Sequence, residues 1–507
     1  MRKNIFNILT IATVFSVLII SCTDDFVERP VEYSIDSENY FNSKSEYESA
    51  LIGAYDLLQT TFVNVLMGEF ASDNTVCGGN SPTDVPGYQQ VDDMIHTPVN
   101  SEIKKSWDWM FAGVQRSNYI LEFKDNIEFE GKNQIIAEAR FLRAYYHFEL
   151  VKWFGAIPMN GDKRFAPGDE TTIPRSPETE VYASIIEDLI FASENLDVYP
   201  SQTGRATKGA ALALLGKAYL YEASYSENVW NNGSNSIEKY KLAAAKLQEV
   251  INSQTYSLVA DFDEIFEMDG ENGVESVFEI QYTDVEGGSY GYMQAIEGNV
   301  AVGFAGPNSY EGPFFTAGNN FNLPTQKIVD AFEADDLRKE VTILDMDAWV
   351  AEHPEVTYTK QNEHTGYFNR KYIPRKRSEN AAADLKLTNP NNYRAIRYSD
   401  VLLMAAEAYS KSGNDSKALD YLNEVRDRAF GDQDHRITFT GSNLYNAILA
   451  ERRVEFAGEG LRFFDLVRTG RAAQEIDGFT PNKNEVFPIP LEEIQFSNGN
   501  WAQNQNY

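Results

Sequence analysis

The 76 aspartates and glutamates of this 507-residue chain give ample material for carboxylate chemistry. Hydrolysis of a glycosidic bond needs two carboxyl groups at a set separation, and no spacing here singles out such a pair. The five histidines, His96, His147, His353, His364 and His435, do not form the H-E-x-x-H pattern that places two imidazoles on one helical face around zinc. Asp261 with Asp263, Asp345 with Asp347, and the run Asp269-Gly270-Glu271-Asn272 offer oxygens to calcium, yet each lacks the full ligand series of a calcium loop. None of these residue sets marks a catalytic or metal site by its spacing. No cofactor is expected, and a structural calcium ion is the one inorganic ligand for which candidates exist.

The two cysteines sit in different settings. Residues 1–21 begin with Arg2 and Lys3 and continue as an apolar run from Ile5 to Ile20, the form of a secretory signal peptide. The run ends in Ile19-Ile20-Ser21-Cys22, which resembles the lipobox of bacterial lipoproteins, so Cys22 is the expected lipidation site and anchors the chain to a membrane. Thr23, Asp24 and Asp25 open an acidic tether over 22–36 that resembles a surface-export signal. No other apolar stretch reads as long enough to span a bilayer. Cys77 is left without a disulfide partner. A formal net charge of −32 would repel phosphate backbones, so nucleic acid is excluded as a partner.

Helical periodicity dominates the elements that must position any site. Ala137 to Phe154 carries Phe141, Tyr145, Phe148 and Val151 on one stripe, and Gly155 and Pro158 stop it. Further amphipathic helices are expected from Glu178 to Leu196, with Ser176 and Pro177 as N-cap and first-turn residues, from Thr207 to Ala223 and from Ile237 to Asn252. The pattern returns over Tyr398 to Ser412, Ser416 to Phe430 and Asn443 to Ala457. Paired helices with Ala and Gly at their crossings resemble tetratricopeptide units. The fold class is mainly α, a tetratricopeptide-like helical repeat scaffold over 37–252 and 393–507. Between them, 253–392 reads as an irregular, loop-rich insertion with minor β-structure, marked by the alternating run Val277 to Tyr282. A second irregular stretch, 72–100, is rich in Gly, Asn, Pro and Asp.

Six motifs in order resemble the SusD/RagB lipoproteins of Bacteroidetes. They are W-D-W-M-F-A-G-V-Q-R-S-N-Y-I-L from Trp107, A-E-A-R-F-L-R-A-Y-Y-H-F-E-L-V-K-W-F-G-A-I-P from Ala137, and G-R-A-T-K-G-A-A-L-A-L-L-G-K-A-Y-L-Y from Gly204. R-Y-S-D-V-L-L-M-A-A-E-A-Y, L-N-E-V-R-D-R-A and E-R-R-V-E-F-A-G-E-G-L-R-F-F-D-L-V-R-T-G complete the set. The resemblance implies an outer-membrane lipoprotein that captures oligosaccharides for a SusC-like TonB-dependent transporter and performs no chemistry. A peptide-binding relative of RagB and a secreted helical glycoside hydrolase are the alternatives. Trp107, Trp109 and Trp153 lie inside the motifs and are expected in the core. Arg140, Arg143, Arg452 and Arg453 with Glu455 are expected to form interhelical ion pairs.

A sugar ring has apolar faces and a hydroxyl rim, so its site needs aromatic platforms flanked by amides and carboxylates. Gly287 to Asn322 is dense in such residues, with Phe314 beside Phe315 and Asn319 beside Asn320. In the family the site joins this insertion to loops of the N-terminal part. The expected ligand-binding set is therefore Asp73, Asn74, Tyr88, Gln89, Tyr290, Tyr292, Asn308, Tyr310, Phe315, Asn319 and Trp349, with Gln90 a further candidate of the 72–100 loop and Trp349 and Trp230 the ones outside these two segments.

Overall fold

The computed structural model describes residues 40–230, 235–284, 297–377 and 387–507. The signal peptide, the tether with Cys22, and the platform candidates Tyr290 and Tyr292 lie outside the described residues.

Long helices pack one upon the next: Lys44–Asp56, Ser101–Glu122, Lys132–Phe154, Glu178–Asn195, Lys208–Asn228, Ser236–Asn252, then Tyr398–Lys411, Asp415–Phe430 and Gly441–Glu455. The chain is mainly helical, and its helices stack mostly on sequence neighbours, as in a repeat array. Their starts follow local capping. The Asn100 side chain accepts from the backbone N–H of Glu102 and Ile103, and that of Thr207 accepts from Ala210. Ser176 does not cap the Glu178–Asn195 helix as expected; Pro177 is the N-cap, and Ser176 is drawn into a two-residue strand paired with Ile157–Pro158.

Glycine sets the interhelical distance at two crossings. A Cβ at Gly113 would stand 2.5 Å from the Tyr146 ring, and one at Gly216 would stand 2.6 Å from Leu247. Trp109 and Trp153 are fully buried and Trp107 nearly so, as expected of core residues. Lys44–Phe70 corrects the expectation of no second span-length segment. It is apolar and long enough, but 67% of its most apolar window is buried inside the body, so its apolar residues are committed to the core.

The motif arginines form buried ion pairs. Arg143 meets Asp188 at 2.7 Å, Arg452 meets Asp400 at 2.8 Å and Asp465 at 2.9 Å, and Glu455 accepts from Arg338, Arg397 and Arg428. Burial alone would raise the Glu455 carboxyl, but Arg428, Arg397 and Arg338 hold it well below the usual carboxylate range.

The insertion is entered and left through one ladder, Ser276–Ile280 antiparallel to Tyr393–Arg397. Inside it, Asn308–Glu311 pairs with Thr357–Thr359 and Ile343–Asp345 with Tyr367–Asn369, over a small core containing Tyr310, Phe315, Leu344, Met346 and Phe368. A further ladder joins the two irregular segments. Thr75–Gly78 pairs with Phe321–Pro324 in the register Thr75↔Pro324, Val76↔Leu323, Gly78↔Phe321.

Candidate functional site

The 72–100 loop is nailed down at its base. The Asp73 carboxylate is fully buried and receives Arg453 and Arg462, each at 2.8 Å, while Asn74 Oδ1 accepts from Arg453 Nε at 2.9 Å. Both residues were expected to face ligand. Their placement is a correction: a buried carboxylate requires cationic partners, and the motif arginines supply them. Beyond the strand Thr75–Gly78, the Gly78 carbonyl accepts from Gln89 Nε2 at 2.8 Å and from Asn362 Nδ2 at 3.0 Å, so Gln89 secures the loop to itself.

The loop and the insertion enclose a cleft of about 310 Å³. Tyr88, Phe304 and Phe321 form its apolar wall, with Tyr88 and Phe304 centroids 6.0 Å apart and edge-on. Its polar margin is Asn80, Asp84, Asn319, Glu102 and Lys105. Asp84 Oδ2 accepts from both the backbone and the side-chain nitrogen of Asn80 at 2.9 Å, and Lys105 Nζ bridges Glu102 at 2.9 and 3.0 Å. Burial, and then Glu102 beside it, push the Tyr88 phenol well above its ordinary value, so Tyr88 is a neutral hydrogen-bonding group. Val85, on the cleft wall, has φ of 43°. A β-branched residue in that region stores on the order of 1–3 kcal/mol, strain typically found where a site fixes its geometry.

Asn308 Nδ2 donates to Asn80 Oδ1 at 2.9 Å, tying the strand Asn308–Glu311 to the cleft margin. This strand leads into an aromatic shelf. Phe314 is 63% exposed and meets Trp349 edge-on at 6.0 Å and His353 at 6.2 Å; Trp349 and His353 rings lie 4.2 Å apart. Below them Trp349 Nε1 donates to the Tyr310 hydroxyl at 3.0 Å, and that hydroxyl donates to the Pro313 carbonyl at 2.9 Å. Asn308 and Tyr310 are two residues apart on this strand, whose pairing with Thr357–Thr359 is irregular between Asn308 and Glu311. Cleft and shelf are therefore served by the same short strand. The shelf offers apolar ring surface and the cleft offers apolar wall with amide, carboxylate and ammonium groups, which together match the two surfaces of a sugar.

Of the described candidates, Tyr88, Asn308, Asn319 and Trp349 come to the cleft, its margin or the shelf. Tyr310 and Phe315 do not present their rings. Both are buried, at 6% and 5% exposure, in the small core that supports Trp349. Trp230, an outside candidate, stacks on Tyr225 at 5.5 Å, and Gln90 accepts from Asn100. Asn80, Asp84, Phe304 and His353 were not singled out as ligand residues, and Phe314 was noted only as part of the Gly287 to Asn322 segment. For Asn80 and Asp84 the Gly, Asn, Pro and Asp composition of the 72–100 loop was the only signal, whereas Phe304 sits on the short helix Val300–Ala305 and His353 ends the helix Met346–Glu352. Among the described residues no three potential ligands converge on a metal position. Asp345 caps the Met346–Glu352 helix, accepting from Asp347 and Ala348.

Two family models match the chain, one described as the SusD family over residues 345–487 and one as "Starch-binding associating with outer membrane" over residues 25–220. SusD-like protein P38 of Formosa agariphila is 26% identical, covering 98% of both chains. Among solved structures, a laminarin binding SusD-like protein is 31% identical with a TM-score of 0.82, covering 92% of this chain and 100% of that one. Surface glycan-binding protein A of Bacteroides thetaiotaomicron, in complex with laminarihexaose, is 26% identical with a TM-score of 0.79 over the same shares.

Proposed function

Because the chain belongs to the SusD family, we propose that it is a surface lipoprotein that binds a neutral glycan of the laminarin type and delivers it to a SusC-like, TonB-dependent transporter in the outer membrane. The observation that carries this reading is the shelf of exposed Phe314 with half-buried Trp349 and His353, joined through Asn308 to a cleft fringed by Asn80, Asp84 and Asn319. Aromatic faces contribute contact area, and the amides and carboxylates replace the water on ring hydroxyls. The similar proteins whose names carry laminarin and laminarihexaose share the overall fold, with TM-scores of 0.82 and 0.79.

Binding without hydrolysis is the better reading of the cleft. Its two carboxylates are occupied, Asp84 by Asn80 and Glu102 by Lys105. Acylation of Cys22 supplies the membrane attachment. Native affinity electrophoresis in gels containing laminarin, starch or neither tests the reading, with chromatography of the incubated glycan alongside. Retardation by laminarin with no new products is expected. Sustained release of reducing sugar by the purified protein would refute the binding role.

A further inference from the structure

Away from the cleft and shelf, two adjoining grooves of about 330 and 410 Å³ run along the loop between the Glu178–Asn195 and Lys208–Asn228 helices. They share Val198, Thr255 and Tyr256 and have no lining residue in common with the first cleft. Tyr256 is held as a floor: its hydroxyl is 3.1 Å from Thr207 Oγ1, and its ring stacks on Tyr398 with centroids 6.5 Å apart. Gly209 is what lets that ring lie against the helix, because a Cβ there would collide with the Tyr256 hydroxyl. Tyr199 stands beside it, 73% exposed, with Val198 and Val274 also exposed at 46% and 56%.

We infer that this groove is a second binding site for a neutral oligosaccharide. An exposed tyrosine next to a fixed one provides ring-stacking surface that a folded chain gains nothing by leaving in water. The fringe is polar: Thr203, Thr255 and Asn272 line it, and the Asn272 amide is squared to Gln281 by reciprocal bonds of 3.0 and 2.9 Å. The groove does not select an anion: the guanidinium of Arg205 is already engaged by Glu138 at 3.1 Å and by Gln202 at 2.9 Å, and Lys208 is offset by Glu249 on the same lining. A fully apolar ligand would leave the Thr203 and Thr255 hydroxyls of the fringe without partners. The ligand class rests on the glycan-binding reading, but the site stands on different residues and is tested separately.

The test is hydrogen–deuterium exchange of the soluble chain with saturating laminarihexaose or maltohexaose, on the parent, Tyr199→Ala and Phe314→Ala. Tyr199 is so exposed that its loss leaves the fold intact, which a thermal melt checks. The inference expects protection of peptides covering 196–208 and 250–258 in the parent and in Phe314→Ala, with at least a five-fold reduction of that protection in Tyr199→Ala. Protection confined to segments 80–88, 308–319 and 345–353 would overturn the second site and leave the proposed function standing. Protection nowhere would overturn both.

Discussion

Replacing Phe314 with alanine separates ligand contact from packing, because its neighbour Phe315 has the opposite placement. A phenylalanine side chain carries roughly 200 Å² of surface. With 63% of the residue exposed, roughly 125 Å² remains available to a ligand. A sugar ring stacked on one face covers about half of that, about 60 Å², worth about 1.5 kcal/mol at 25 cal/mol per Å². Phe314→Ala should therefore weaken laminarihexaose binding about ten-fold. The folded state loses little, so the melting temperature should move by about 2 °C or less. Phe315, 5% exposed and packed against Trp349 at 5.4 Å, should behave in reverse, with Phe315→Ala costing about 3–5 kcal/mol of stability. Isothermal titration and thermal melts of the two variants decide the matter. If Phe314→Ala binds within two-fold of the parent while melting normally, the shelf is not the platform.

Trp107, 3% exposed and edge-on to Phe154 at 5.0 Å, should cost about 3–5 kcal/mol when cut to alanine, read by urea unfolding. His147 is buried with neither ring nitrogen hydrogen-bonded, and burial first, then Arg143, push its pKa down to about 3. Since the folded pKa lies below the ordinary value of 6.5, the unfolded chain takes up the proton first. The resulting stability is present above pH 6.5 and is lost as pH falls toward 3, by about 1.4 kcal/mol per unit. His147→Leu should accordingly flatten the decline in stability between pH 6.5 and 4, and an unchanged slope would refute the assignment. Cys22→Ala should abolish radiolabelled palmitate incorporation and release the protein from the membrane fraction, and equal labelling of variant and parent would remove the lipid anchor.

Helices were legible in the sequence because their determinants are local. The stripe through Phe141, Tyr145 and Phe148 and the stop at Gly155 act within a few residues of themselves, and the Lys132–Phe154 helix forms where those signals lie. The structural use of the motif arginines was legible for a related reason: charges interleaved on apolar helical faces must find partners when the faces are buried. The Ser276–Ile280 strand followed from alternation, a signal with a period of two.

The candidate site was legible only as two segments, and which of their residues line the cleft was decided by the tertiary structure. Asp73 looks like a loop carboxylate until Arg453 and Arg462, about 380 residues further along, turn it inward. Phe314 and Phe315 have the same side chain and differ by one position, yet a φ of 60° at Phe314 and the small core beneath Trp349 put one ring in water and the other out of it. Irregular backbone has no period from which to read a face, so orientation there is set by long-range partners. The ladder Thr75–Gly78 to Phe321–Pro324 is the clearest instance. Sequence by itself determined the helical scaffold, the family and the two segments in which a site was expected, whereas the pairing of those segments across some 245 positions, and with it the cleft, exists only in the folded chain.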